Sequence, residues 1–166
     1  SFRDFLMARD WRVVTKLCLP DALIGCGAGL TIPFINLYFQ GRFHRSVREI
    51  AWFFAASSAM NMVGFLAAPA VAQRLGRIAT IAGSQFLSIP FFAVLAFTTS
   101  LPLAVGAFLL RSLLMNMSQP VNSAFVMDMT PPGQMAVTNS FKQLSWNAAW
   151  SLSASAGGWM IARARF

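Results

Sequence analysis

The sequence predicts an all-α integral membrane protein with five transmembrane helices. Three observations lead there. Hydrophobic residues make up 57% of the 166 residues and charged residues only 11%, well under the quarter or so typical of soluble domains. Sixteen phenylalanines and five tryptophans carry more apolar surface than a chain of this length can bury in water. The apolar residues also gather in long runs, each near or above the roughly 20 residues that a helix needs to cross a bilayer. In lipid every backbone polar group must find its partner within the segment, so each run is expected to be a helix.

The chain opens with SFRDFLMARDWRVVTK, residues 1–16, where Arg3, Arg9, Arg12 and Lys16 are mixed with Phe2, Phe5 and Trp11. This composition fits an interfacial lead-in with tryptophan at headgroup level. The spans are expected over about 17–39, 50–73, 78–98, 101–127 and 138–162, together a half-bundle over 17–162. Between them stand the joints QGRFHRSVRE, QRLGR, TTSLP and DMTPPGQMAVT, whose proline and glycine are ordinary turn chemistry. Residues 163–166 form a tail cut short. A serine start and an odd number of spans, unusual for a symmetric transporter repeat, mark the sequence as an expected fragment of a longer chain.

The net charge of +8 does not point to nucleic acid, because the basic residues stand in short clusters between apolar runs and form no continuous basic face. Cys18 and Cys26 lie about 12 Å apart along a helix, too far for a disulfide. The single histidine, His44, falls in a joint, and no HExxH, CxxC or Walker-type loop occurs. No metal and no cofactor are therefore expected. Asp21 opens the first span, Glu49 lies in a joint and Asp128 closes the fourth. No carboxylate falls near mid-membrane, so no acid–base pair suggests an enzyme.

The fourth run is the informative one. Residues 111–129 read RSLLMNMSQPVNSAFVMDM. At about 100° per residue, Arg111, Ser112, Asn116, Ser118, Gln119, Asn122 and Ser123 fall within an arc of roughly 160°. Pro120 is expected to kink the helix. A charge at mid-bilayer costs about 3 kcal/mol or more, so Arg111 should face protein or water. Weaker polar or small-residue stripes recur elsewhere: Gly25, Gly27, Gly29, Thr31, Pro33 and Asn36 in the first span, where Gly25 and Gly29 form a small-xxx-small pair that lets a neighbouring helix approach closely; Ser57, Asn61, Gly64 and Ala68 in the second; Asn147, Ser151, Ser155 and Gly158 in the fifth. The third run, broken only by Ser84, Gln85 and Ser88, is expected to be peripheral. Four polar stripes suggest a shared cavity lined by Asn36, Asn61, Arg111, Asn116, Gln119, Asn122 and Asn147. The alternative is a bundle in which polar groups tie helices together.

The joint AQRLGRI, residues 72–78, resembles the short basic loop of the major facilitator superfamily, Gly-x-x-x-Asp-Arg-x-Gly-Arg-Arg/Lys. Arg74, Gly76 and Arg77 match; Pro69, Gln73 and Ile78 replace the glycine, the aspartate and the last basic residue. Arg111 resembles an arginine found in the fourth helix of a half, and Gly157 and Gly158 faintly resemble the fifth-helix signature. The resemblance implies helices seven to eleven of twelve, an incomplete six-helix half of a major facilitator bundle. It also implies a secondary transporter, permease or efflux protein, that moves a small organic solute by alternating access. The partners it implies are membrane lipid, the solute, and the missing amino-terminal half and twelfth helix of the same chain. The location it implies is a cell membrane, multi-pass, of bacterial cytoplasmic type. A non-transporting membrane scaffold and a membrane-embedded enzyme are the rival readings.

Seven basic residues fall on the starting side of the membrane (Arg3, Arg9, Arg12, Lys16, Arg74, Arg77, Lys142) and five on the other (Arg42, Arg45, Arg48, Arg163, Arg165). The bias favours a cytoplasmic start. Cysteines placed singly by Arg77→Cys and Arg45→Cys, in a background lacking Cys18 and Cys26, should react with an impermeant reagent on intact cells at 45 only. Labelling at 77 and not at 45 reverses the orientation.

Overall fold

A computed structural model describes residues 11–130 and 135–163. Helix α1 spans Trp11–Thr31, one 3₁₀ turn covers Ile32–Phe34, and α2 spans Ile35–Phe43. Then follow α3 (Val47–Leu75), α4 (Arg77–Phe97), α5 (Leu101–Met129) and α6 (Met135–Arg163). Residues 1–10 of the expected lead-in and 164–166 of the expected tail lie outside the described residues.

The helices run further than the apolar runs do. Trp11–Lys16, expected as lead-in, already belong to α1. The joint expected over QGRFHRSVRE shrinks to His44–Ser46, and the joint QRLGR to Gly76 alone. The reason is that a helix needs apolar side chains only where it meets hydrocarbon. Arginine, lysine and glutamine are good helix formers and extend it into the headgroup layer. Each joint is closed by specific bonds. Ser46 and Glu49 form a capping box, with Glu49 N–H donating to Ser46 Oγ at 3.3 Å and Ser46 N–H donating to Glu49 Oε2 at 2.9 Å, satisfying two orphan donors. Gly76 takes φ +86°, a value that only glycine reaches without strain, so two long helices can meet across one residue.

Pro33 explains the interruption in the first span. It lacks the N–H that would bond to the Gly29 carbonyl, and the chain tightens locally, with Ile35 N–H donating to the Ile32 carbonyl. Pro20, Pro69, Pro90 and Pro120 lie inside helices that continue through them. α5 is thus not interrupted at Pro120.

Among the described residues, four segments are long and apolar enough to cross a membrane: Cys18–Phe43, Val47–Leu75, Arg77–Phe97 and Leu101–Met129. The fifth expected span, α6, has 29 residues but a more polar composition. Its packing shows what it does. The chain divides into two compact units, one of Ser1–Ile35 with Thr130–Phe166 and one of Asn36–Met129. In the first unit α6 lies along α1. Asp21 meets Lys142 at 2.9 Å, Gly25 backs onto Trp146, Gly29 onto Trp150 and Ser153, and Phe34 onto Gly157. The contacts climb both helices in the same direction, so the pair is parallel. A Cβ on Gly25 would stand 2.8 Å from the Trp146 carbonyl oxygen, and one on Gly29 would overlap the Trp150 carbonyl, whereas at Gly27 it meets nothing within 4 Å. The small-xxx-small pair Gly25/Gly29 is therefore what lets the two backbones approach.

In the second unit α5 lies between α3 and α4. α3 buries Ser57, Gly64 and Ala68, and Gly64 sits against Leu113 and Met117 of α5. α4 buries Thr80, Ser84, Ser88 and Leu95. The three hydroxyls donate to carbonyls of their own helix, Gly76, Ile81 and Gln85, at 2.8, 3.1 and 2.7 Å. Once satisfied in this way, they present a narrow and nearly apolar ridge. The outer face of α4 exposes Phe86, Leu87, Ile89 and Phe97, as a lipid-facing helix should. Phe39 is fully buried among the rings of Tyr38, Phe43, Phe53 and Phe108.

Two outcomes follow from the α1/α6 seam. Gly29→Val should lower stability by about 1–3 kcal/mol through overpacking while Gly27→Val leaves it nearly unchanged, measured by thermal unfolding in detergent. Asp21→Asn or Lys142→Met alone should destabilise by ~3–5 kcal/mol, because each leaves an uncompensated buried charge. The double variant should recover most of that loss, and equal loss in single and double variants would show that the ions do not act as a pair.

Candidate functional site in the transmembrane helices

The polar arc of α5 is divided in the structure. Its Ser112/Asn116 edge meets α3: Ser57 Oγ–H donates to Ser112 Oγ at 2.7 Å, Ser112 Oγ–H donates to Asn61 Oδ1 at 3.2 Å, and Asn116 Nδ2–H donates to the same oxygen at 3.4 Å. Asn116 Nδ2–H also donates to the Ser112 carbonyl at 2.9 Å. This is a closed interhelical network, so Asn61 and Asn116 serve to tie α3 to α5.

Arg111, at the other edge, turns to α4, where its guanidinium carbon stands 4.8 Å from the centroid of the Phe92 ring. Arg111 and Asn116 are therefore not brought together. Between the two edges Gln119 is exposed and Asn122 is half-buried, while Ser118 is buried and bonded to the Met115 carbonyl. Asn36 is exposed at the start of α2. Asn147 belongs to the other unit and is exposed on α6 together with Ser151 and Ser155. That stripe lies beside the seam residues Trp146, Trp150 and Gly157 and is left uncovered. The side chains of Asn36, Gln119, Asn122 and Asn147 make no hydrogen bond among the described residues.

The basic joint acquires a partner that the sequence did not suggest. Arg77 forms an ion pair with Asp128. Arg77 is the first residue of α4 and Asp128 lies in the last turn of α5, so each charge stands at the helix end that its sign disfavours. Pairing offsets both and clamps the two helix ends. Arg74 is exposed. At the opposite ends of the helices, Tyr38 O–H donates to the Leu95 carbonyl at 2.5 Å and Arg42 Nε–H to the Thr98 carbonyl at 3.1 Å. These bonds satisfy carbonyls that the end of α4 leaves without partners. A basic or phenolic residue on another span carries no sequence signal for such a contact.

Among the described residues no three of His, Cys, Asp and Glu come together, so those residues form no set able to hold a metal. The three described carboxylates are each engaged by a cation: Asp21 by Lys142, Glu49 by Arg45 at 3.0 Å, and Asp128 by Arg77.

The family model described as the Major Facilitator Superfamily matches residues 21–166. No curated protein and no solved structure matched the chain. The match takes in the membrane-length helices and the basic joint at Arg74–Arg77. This chain is a multi-pass membrane protein and belongs to the major facilitator superfamily, a family of membrane transporters.

Proposed function

We propose that the chain is the carboxy-terminal half, helices seven to eleven, of a secondary active transporter that moves a small organic solute across a bacterial cytoplasmic membrane by alternating access. The observation that carries this reading is the set of amides left open, Asn36 and Gln119 on membrane-length helices and Asn147 on α6. Asn36, Gln119 and Asn147 are exposed and make no side-chain hydrogen bond among the described residues. An amide facing hydrocarbon without a partner costs about 2 kcal/mol or more, so these positions face water or a further part of the protein. A solute path supplies both. The parallel α1/α6 pair supports five alternating crossings, because two parallel helices require an odd number of crossings between them.

A second reading has its own observation. The Ser57–Ser112–Asn61–Asn116 network is what a packing scaffold needs, and those four residues serve that purpose whichever reading holds.

The two readings diverge at the uncovered stripe of α6. Proteoliposomes holding the intact protein, given a proton gradient and an extract of small metabolites, should accumulate or expel at least one solute relative to empty liposomes, as read by mass spectrometry. Asn147→Leu/Ser151→Leu should reduce that flux by ten-fold or more with little loss of thermal stability, since neither side chain is bonded to another helix. Unchanged flux in this variant, or no solute moved by the wild type, would sink the transporter reading.

A further inference from the structure

We infer that the joint between α2 and α3 is a binding site for the headgroup of an anionic phospholipid, held by Arg42 and Arg48. Such a site needs only a membrane and is independent of the transporter reading.

Helix length puts these arginines at the phosphate layer. α3 has 29 residues, a rise of about 42 Å at ~1.5 Å per residue. The hydrocarbon core is roughly 30 Å thick, and about 40–45 Å with its headgroup layers, so the ends of α3 stand among headgroups. Arg48 is the second residue of α3, and Arg42 is the last but one of the membrane-length segment Cys18–Phe43. Arg42 Nε–H donates to the Thr98 carbonyl at 3.1 Å and its Nη2–H to the Phe97 carbonyl at 3.5 Å. The short joints 44–46 and 98–100 therefore lie side by side at one end of the unit Asn36–Met129.

This end of the unit carries Arg42, Arg45 and Arg48 against one acid, Glu49. Glu49 is taken by Arg45 at 3.0 Å and by the Ser46 cap, so two positive charges remain. Arg42 bonds only to carbonyls, which leave its charge uncancelled. Arg48 is exposed, with neither ion pair nor hydrogen bond among the described residues. The other acid of the unit, Asp128, is held by Arg77 at the far end of α5.

An arginine keeps its proton at any working pH, and its planar fork fits phosphate oxygens bidentately. The apolar neighbours select a lipid over a free oxyanion. Phe97, next to the Thr98 carbonyl, is 83% exposed, and Trp52, 68% exposed, lies one turn from Arg48 on the same face of α3. An indole at this level belongs to the boundary between headgroups and chains. The glycerol and first methylenes of a lipid would cover both rings, and a bare phosphate would cover neither. A zwitterionic headgroup brings its own cation to a site that already has two, so an anionic headgroup is preferred.

The test uses the intact protein in vesicles of equimolar phosphatidylglycerol and phosphatidylcholine, extracted in mild detergent, with retained lipid counted by native mass spectrometry. Phosphatidylglycerol should be retained over phosphatidylcholine by ten-fold or more. Arg48→Gln should lower that ratio about five-fold, Arg48→Lys should lower it less, and Arg42→Gln/Arg48→Gln should bring it close to one. Arg42 also braces the end of α4, so Arg48→Gln, which removes no bond among the described residues, carries the comparison if the double variant does not fold. Equal retention of the two lipids, or a wild-type ratio in Arg48→Gln, overturns the proposal; either is the result expected if a carboxylate from another part of the protein meets the arginines. Millimolar inorganic phosphate should leave the bound lipid in place. Displacement by it would assign the joint to a free oxyanion and overturn the lipid site.

Discussion

A charge inside lipid has to be cancelled where it stands, and the arrangement of helices here follows from that constraint. Asp21 and Lys142 lie on different helices, far apart in sequence, and their side chains remain only 15% and 12% exposed at 2.9 Å. Neither would be tolerable alone at that burial. Together they fix the register of α6 on α1, because a slip by one turn would strand both. Arg77 and Asp128 repeat the device at one end of α4 and α5, where exposure makes the attraction weaker and it has two unfavourable helix-end placements to offset. With those pairs formed, Arg111 has neither ion pair nor hydrogen bond among the described residues and rests on the Phe92 ring.

Register also depends on how closely backbones can approach. In lipid no hydrophobic force draws two helices together, so contact area and satisfied polar groups must do it. Gly25 and Gly29 give α6 a backbone to rest Trp146 and Trp150 against. On α4 the same purpose is served by Thr80, Ser84 and Ser88, each folded back on its own helix. These are two chemical routes to a narrow face, and the second is easily mistaken for a polar lining.

That ambiguity explains which parts of the molecule were legible in the sequence. Helical class and four membrane-length segments were, since composition and run length follow directly from the thickness of the bilayer. Joint lengths were not, because hydropathy reports where lipid ends and the helix continues into the headgroups. The Gly25/Gly29 contact could be read from spacing alone. The polar arc of α5 could be read only as an arc: a helical wheel places Arg111 and Asn116 on one side but does not know that two neighbours divide that side between them. Nor could the wheel find Asp21–Lys142 or Arg77–Asp128, whose partners are set by which helices pack and not by any local pattern.

A polar residue in a membrane helix therefore has one of two fates, and geometry separates them where composition cannot. Ser57, Asn61, Ser112 and Asn116 are consumed by one another; removing one loosens a seam. Asn36, Gln119 and Asn147 are left open, as is the fork of Arg111, and packing alone gives no reason for them. Leucine at any of these places would satisfy the bilayer better. Open amides and an open guanidinium on these helices are thus a cost to the fold unless they meet water or a further part of the protein.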